Sequence, residues 1–496
     1  MKLVSASEIR ELDRRAMEEY GIPGKELMQT AGNGLADAIR RLADQHQLTD
    51  VPVLFIAGCG NNGGDAFAAC LCLYEDDWPV ECWLAGSEDR LKGDALTHFQ
   101  KMKKAGVPFH ALPDSADWQR ATQCGTEAEI IVDGLLGTGV SGEPHGVVAD
   151  AIQFVDAQAD TALIVAIDEP SAMAVRADLT VAMGLPKLAC VQPEHIDQVG
   201  NLEVVDIGIP ADLMEQAVGD AALELIHPSD LAPLFPRRPR DGHKGDYGHV
   251  LCIGGSRGFS GAITMTARAA VRSGTGLVSA FVPESVHALV APAVPEVMVH
   301  SSMPDGKWTS ILAGPGMGRT AVTREQVLHL LETSTVPLIL DADAVTVLAD
   351  HIEAVSSAAC PVVLTPHPGE FAALFGLKTD DVQEDRFGMV RMAADRLGVT
   401  VVLKGAGTLV AAPGRQAAVN LTGNPGMASG GSGDVLSGII AGLAAQGIAP
   451  FEAACAGVWL HGRAGDLAAA EKSQISLMAG DLIEKLPDVF RELSCR

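Results

Sequence analysis

The chain has 496 residues, too many for one hydrophobic core, and 47% of them are hydrophobic, which suits well-buried sheets and excludes a disordered chain. Its formal net charge of −27 sets the surface against non-specific binding to nucleic acid, because a polyanion repels an acidic protein.

Charge appears at Glu8 and Arg10 with no apolar secretory region before them, and no apolar stretch is long and glycine-free enough for a membrane span. The ten cysteines are scattered through apolar runs such as Ala69-Cys70-Leu71-Cys72-Leu73, without zinc-ligand spacing or a short disulfide framework. A cytoplasmic protein with buried thiols and no membrane partner is expected.

Ser5 and Glu8 have capping-box spacing, and Ile9, Leu12 and Ala16 recur on one face, so an amphipathic helix opens the chain. Short β-rich runs follow at 51–57, 80–85, 130–133, 163–168 and 179–183, alternating with helical stretches. Runs apolar on both faces and separated by helices predict a parallel, doubly wound, Rossmann-like sheet over residues 1–224. Gly58-Cys59-Gly60-Asn61-Asn62-Gly63 satisfies the dinucleotide pattern G-x-G-x-x-G. The next run, however, ends in Gly86-Ser87 and lacks the acid expected on a ribose hydroxyl, which argues against a redox Rossmann domain.

From 225 to 245 the character changes, with Pro228, Pro233, Pro236 and Pro239 among charged residues, and a domain boundary is placed there. Arg237, Arg238 and Arg240 read as a solvated linker. Apolar runs at 250–253, 277–282, 311–313, 337–340, 362–364 and 401–403 then make residues 225–496 a second α/β domain.

The segment Asn424-Pro425-Gly426-Met427-Ala428-Ser429-Gly430-Gly431-Ser432-Gly433-Asp434 runs into the apolar helical pattern of Val435, Leu436, Ile439, Ile440 and Leu443. Small residues entering a helix let backbone N–H groups converge on one point, where the helix N-terminus adds partial positive charge. The result is an anion hole suited to a transferring phosphoryl group, with Asp434 able to take a proton from an attacking hydroxyl. Taken alone, the turn is equally an ordinary glycine-rich helix start. Three further loops end apolar runs: Thr365 to Glu370 with His367, Lys404-Gly405-Ala406-Gly407-Thr408, and Leu312 to Gly318. Ligands of open α/β sheets sit at carboxyl strand ends, so these loops are expected to meet in one crevice.

With Lys244 to Gly248, Gly254-Gly255-Ser256 with Gly258 to Ala262, and Leu340-Asp341-Ala342-Asp343-Ala344, these segments resemble the ribokinase-like dehydratases of hydrated NADH and NADPH. The resemblance runs from His243 to about Leu486. It implies a ribokinase-like α/β sandwich that dehydrates the 6S hydrate, with ADP as phosphoryl donor and Mg2+ as cofactor. It further implies that Ala262, Gly316, Gly318 and His367 line the hydrate site. Lys404, Gly405, Ala406, Gly407, Thr408, Gly431, Ser432 and Gly433 would hold the nucleotide, with Asp434 as base.

In the first half, Gly60-Asn61-Asn62-Gly63-Gly64-Asp65, Asp133-Gly134-Leu135-Leu136-Gly137-Thr138-Gly139, Asp168-Glu169-Pro170-Ser171 and Leu185-Pro186-Lys187 resemble the NAD(P)H-hydrate epimerases, over about Ala6 to Pro210. That likeness implies K+ held by Asn62, Asp133 and Ser171. It implies substrate contacts from Asn61, Asn62, Gly63, Gly64 and Asp65, from Gly137, Thr138 and Gly139, and from Asp168, the base for interconverting R and S hydrates. It also implies a homo-oligomer.

Three positions depart from the epimerase pattern. Ala66 and Ala172 stand where glycine is usual, Glu169 adds a charge, and the loop after Ser171 is short. A β-carbon at a close backbone approach and a carboxylate inside the site predict weakened or lost epimerisation on a surviving scaffold. Two other readings stay open: a ribokinase-like kinase of a small alcohol, and a first half that only binds or assembles.

Overall fold

The computed structural model describes every residue except 124, 138–141, 218, 220, 221, 495 and 496. The chain divides into two compact units, Lys2–Ala221 and Ala222–Arg496, the second also including Met1.

In the first unit the opening helix, Ala6–Glu19, is capped as its sequence requires. The Ser5 hydroxyl accepts from the Glu8 N–H, and the Glu8 carboxylate accepts from the Ser5 N–H at 2.9 Å. Among the described residues seven strands follow: β1 (Val53–Ala57), β2 (Val80–Ala85), β3 (Phe109–Leu112), β4 (Ile130–Gly134), β5 (Leu163–Ile167), β6 (Leu179–Met183) and β7 (Asn201–Val205). They form one sheet in the order β3-β2-β1-β4-β5-β6-β7, and every pairing is parallel. The order reverses at β1, whose neighbours are β2 and β4, so the loops after β1 and β4 part over a crevice. One face is closed by Trp83, Trp118 and Phe154, with ring centroids 5.7 to 5.9 Å apart.

Among the described residues the second unit carries ten strands: β8 (Leu223–Leu225), β9 (His249–Ile253), β10 (Leu277–Phe281), β11 (Met298–His300), β12 (Ser310–Ala313), β13 (Leu338–Leu340), β14 (Val362–Leu364), β15 (Thr400–Leu403), β16 (Thr408–Ala411) and β17 (Ala417–Asn420). Their order is β11-β10-β9-β12-β13-β14-β15-β16-β17-β8. Only β16 runs against its neighbours. Here the reversal falls at β9, between β10 and β12, and Gly255 N–H donates to the Pro315 carbonyl across the two loops (2.8 Å).

The Ser432–Ala445 helix is buried along nearly its whole length. It lies close to Ser260–Arg272, because a Cβ on Gly438 would run into the Thr266 carbonyl. Thr266 Oγ1 donates to the Asp434 carbonyl (3.2 Å), which ties the helix start to that neighbour.

No helix among the described residues is long and apolar enough to cross a membrane. Among the described cysteines, Cys59, Cys70, Cys72, Cys82, Cys190, Cys252, Cys360 and Cys455 are free thiols, as their scatter in the sequence predicts.

Ala172 sits in the left-handed region at φ 57°, where an L side chain is strained. Ala172→Gly is therefore expected to raise the stability of the first unit by about 1 kcal/mol, read as a higher denaturation midpoint.

Candidate active sites

In the second unit the site grows from strand ends. Asp341 follows β13, Thr365 follows β14 and Lys404 follows β15. Lys404 Nζ donates to Asp341 Oδ1 (2.8 Å) and lies 3.7 Å from Glu370 Oε2. Asp341 Oδ1 also accepts from Thr365 Oγ1 (2.8 Å), so three loops share one buried carboxylate. Burial opposes charge on Lys404, but Asp341 and Glu370 together raise it above the usual lysine range.

Asp434 stands in the first turn of the Ser432–Ala445 helix. Burial pushes its carboxyl up to about 7, with Asp341 adding to the rise and Lys404 opposing it. A base of that strength is half-ionised near neutrality, where proton transfer is most efficient. Gly431 begins the helix at φ 98°, with Met265 occupying the space a Cβ would need. A Cβ on Gly433 would lie 3.3 Å from Lys404 Nζ, so the lysine reaches the helix start. Ser432 N–H donates to the Ser429 carbonyl (3.3 Å), and its Oγ meets His461 Nε2 at 3.2 Å, contacts that support the turn.

His461 is a residue the sequence reading missed. Burial lowers it to about 4, so it is neutral, and its Nε2 also lies 2.9 Å from the Ser432 carbonyl. Arg386 was missed as well. Its Nη2 donates to the carbonyls of Leu403 (3.2 Å), Lys404 (3.3 Å) and Gly407 (3.5 Å), fixing the shape of the 404–408 loop. Within that loop Gly405 and Ala406 are exposed, and Thr408 Oγ1 donates to the Gly405 carbonyl (2.7 Å). Asp466 holds the other side of the anion turn, accepting from Gly423 N–H and Asn424 Nδ2, each at 3.0 Å.

The expected hydrate-site residues assemble in part. Gly316, at φ 64°, faces Ala262, whose Cβ would be 3.2 Å from one on Gly316. Gly318 N–H donates to Asp343 Oδ2 (2.8 Å). His367 caps the Pro368–Phe375 helix, its Nδ1 accepting from Gly369 (3.0 Å) and Glu370 (3.2 Å) N–H groups. Its Nε2 lies 3.4 Å from Glu370 Oε1, so the ring is oriented by the same carboxylate that faces Lys404.

In the first unit a cavity of about 580 Å3 opens where the sheet order reverses. Gly58, Gly60, Asn61 and Asn62 line it after β1, Leu135 to Gly137 after β4, and Asp65, Asp168 and Lys187 are among its polar lining. Asp168 ends β5 at φ 68° and is ion-paired to the buried Lys187. Asp168 Oδ1 accepts from Met183 N–H (3.2 Å), and Lys187 Nζ donates to the Met183 carbonyl (3.2 Å). Burial, reinforced by Asp168, pushes the Asp65 carboxyl well above the usual range. Gly63 and Gly64 do not line the cavity. A Cβ on Gly63 would strike the Gly58 carbonyl and one on Gly64 the Met28 side chain, so these glycines seat the Asn61–Glu75 helix. Thr138 and Gly139 lie outside the described residues.

Asn62, Asp133 and Ser171 share one network. Asp133 accepts from the Ser171 hydroxyl (2.6 Å) and Ser171 N–H (2.8 Å), while Leu136 N–H donates to the Ser171 oxygen (2.9 Å). Asn62 Nδ2 donates to the Leu136 (2.9 Å) and Ile167 (2.8 Å) carbonyls. The group is rich in oxygen, and Asp133 is completely buried there.

Two of the sequence departures fall away from the cavity wall. Ala66 is fully buried and packs on Gly134 of β4. Glu169 lies beside Asp168 without lining the cavity, and burial followed by the Asp168 charge raises its carboxyl.

Residues 250–488 match a family model described as NAD(P)H-hydrate dehydratase, and residues 24–189 match one described as YjeF-related protein N-terminus. The bifunctional NAD(P)H-hydrate repair enzyme Nnr of Moorella thermoacetica is 39% identical, over 99% of this chain and 97% of its own length. That of Escherichia coli is 33% identical, over 97% and 92%. Among solved structures, the ADP/ATP-dependent NAD(P)H-hydrate dehydratase from Bacillus subtilis, co-crystallised with ATP/Mg2+, superposes with a TM-score of 0.51. It is 33% identical and covers 54% of this chain and 98% of its own.

Lys404→Met leaves Asp341 and Glu370 buried without their cation. It is expected to destabilise the second unit by about 3–5 kcal/mol in denaturant unfolding, the range found when one partner of a buried pair is removed.

Proposed function

The chain belongs to the family of bifunctional NAD(P)H-hydrate repair enzymes, and from that premise we propose how its residues divide the work. It repairs hydrated NADH and NADPH. The second unit carries the dehydratase, and the observation that supports this most directly is Asp434, a base tuned to about 7 at the mouth of a helix N-terminus.

In this reading Asp434 takes the proton of the ring hydroxyl as its oxygen attacks the terminal phosphoryl group of ADP, and the bond from that group to the bridging oxygen breaks with AMP as the leaving group. The Gly431 and Gly433 N–H groups and Lys404 stabilise the charge on the moving phosphoryl group. Phosphate then departs with the C–O electron pair, a ring proton is lost, and the ring double bond of the reduced cofactor returns. Phosphorylation is needed because hydroxide is a poor leaving group and phosphate a good one. Ala262 and Gly316 offer a flat wall for the hydrated ring, and the exposed 405–406 loop offers backbone to the nucleotide.

Asp341, Asp343, Glu370 and Asp434 act on one another around a single Lys404, a surplus of hard oxygen that fits Mg2+. Among the described residues no three such side chains form a metal cage alone, so the ion would share its ligands with the nucleotide phosphates. When bound it would neutralise charge on those phosphates.

The first unit is the epimerase. Asp168, ion-paired to Lys187, is its base, and Asn61, Asn62 and Asp65 shape the cavity for the hydrated ring. Ala66 turned into the core and Glu169 off the wall support a working site rather than a bare scaffold. Asn62, Asp133, Ser171 and the Leu136 and Ile167 carbonyls supply the oxygen donors that a K+ ion takes; it would lock the loops after β4 and β5.

Purified protein given racemic hydrated NADH with ADP and Mg2+ is expected to restore the near-ultraviolet band of the reduced nicotinamide beyond half of the substrate. Arrest near half would instead mean a silent epimerase, and a stable phosphorylated product would mean a small-alcohol kinase. Asp434→Asn is expected to slow recovery by about 10²–10⁴-fold. Because the base works ionised, the wild-type rate should climb as pH rises through about 7 and level off above it. For the cation, K+ but not Li+ is expected to raise the melting temperature, and Asp133→Asn to abolish that rise; equal melting in both salts would discard the site.

A further inference from the structure

Asp13 projects from the Ala6–Glu19 helix into the wall of the first-unit cavity, a position that no motif in the sequence singles out. Its Oδ1 is completely buried and has no hydrogen-bond partner among the described residues. Buried carboxyl oxygens are normally satisfied, and one left unpaired on a cavity wall points to a ligand group that completes it. Asp65, Asp168 and Lys187 line the same cavity.

We propose that Asp13 is the second catalytic residue of epimerisation, the acid that protonates the departing ring hydroxyl while Asp168 serves as base; this rests on the epimerase reading of the first unit. Inverting a carbon that bears both a hydroxyl and the ring nitrogen needs proton traffic on both of its faces. One carboxylate cannot serve both without the substrate turning over. Asp13 comes from a helix and Asp168 from a strand end, so two separate elements supply the two groups.

Asp13 gives its proton to the hydroxyl oxygen, and the C–O bond breaks with its pair leaving as water. The ring nitrogen lone pair forms a C=N+ bond. A water then adds to the other face, its oxygen pair making the new C–O bond, the C=N pair returning to nitrogen, and its proton passing to Asp168. Solvent exchange returns one proton to Asp13 and removes one from Asp168. The reverse reaction runs through the same intermediate, so R and S hydrates interconvert without any co-reactant.

Its surroundings suit Asp13 to the acid role. Burial pushes its carboxyl up to about 6, against the pull of the Lys187 ammonium and with a further push from Asp168. Asp168, by contrast, has the ammonium as its direct partner. The same lysine thus pairs directly with Asp168 and does not pair with Asp13.

The full chain is assayed by NMR for R/S exchange of hydrated NADH without ADP, so that the dehydratase is silent, with spontaneous exchange subtracted. Asp13→Asn, nearly isosteric, is expected to lower kcat for exchange about 100-fold or more with KM unchanged. Asp13→Glu should recover part of the rate. Exchange in Asp13→Asn at the wild-type rate overturns the proposal and leaves the epimerase reading standing. A lower melting temperature with kcat and KM failing together also overturns it, marking Asp13 as a structural carboxyl. A wild-type chain that catalyses no exchange overturns both.

Discussion

A parallel strand cannot return to its neighbour without a crossover, and a sheet built outward from one of its early strands in both directions must leave a gap there. Both units have that gap, at β1 and β4 in the first and at β9 and β12 in the second. In the first unit the cavity opens at the reversal, whereas in the second the polar groups come from the carboxyl ends of β13, β14 and β15 to one side of it, together with a helix start. Glycine is enriched in these loops because backbone must approach backbone. The Gly255 N–H on the Pro315 carbonyl and Gly63 against the Gly58 carbonyl are two such approaches.

Within each site the electrostatic arrangement is alike although the folds differ. One lysine, buried Lys187 or half-buried Lys404, forms a direct pair with one buried aspartate, Asp168 or Asp341. A second carboxyl, not directly paired, is raised by burial toward neutrality: Asp13 to about 6, Asp434 to about 7. Burial alone would neutralise every carboxyl in the site, and surface exposure would leave all of them ionised. A single cation, paired directly with one carboxyl, opposes the rise of the second without cancelling it. Supporting residues then keep that lysine in register. Thr365 donates to Asp341, Arg386 holds the carbonyl of Lys404, and Met183 ties Lys187 to Asp168 through its own backbone.

The buried strands and the glycine loops were legible from sequence because both express short-range constraints. A strand covered on both faces must be apolar throughout, and the Ser5–Glu8 cap fits within four residues. The edges were less visible. Phe109–Leu112 and Asn201–Val205 mix polar and apolar residues, and in the sheet order each has a neighbouring strand on one side only. Asp13, Arg386, His461 and Asp466 were not legible either. Each sits on a helix whose pattern resembles any other, and its role arises from partners 17 to 43 residues away or from a cavity assembled by tertiary packing. Conversely, Gly63 and Gly64 belong to a ligand-binding string but serve the packing of the helix that carries Asn61, Asn62 and Asp65.

The altered positions of the epimerase string carry the same lesson about what a motif residue does. Glycine in a binding loop is needed for close ligand approach, for a left-handed backbone, or for close packing, and the consequence of losing it differs in each case. At position 66 the constraint is packing, and the small Cβ fits against Gly134 because β4 offers a glycine opposite. At position 172 the constraint is the backbone, and the strained Ala172 falls next to Ser171, which is locked by two hydrogen bonds to Asp133. That strain is local and is offset by the buried network, so it weighs on the stability of the turn. The cavity wall is built from other side chains, and neither substitution removes a polar group from it.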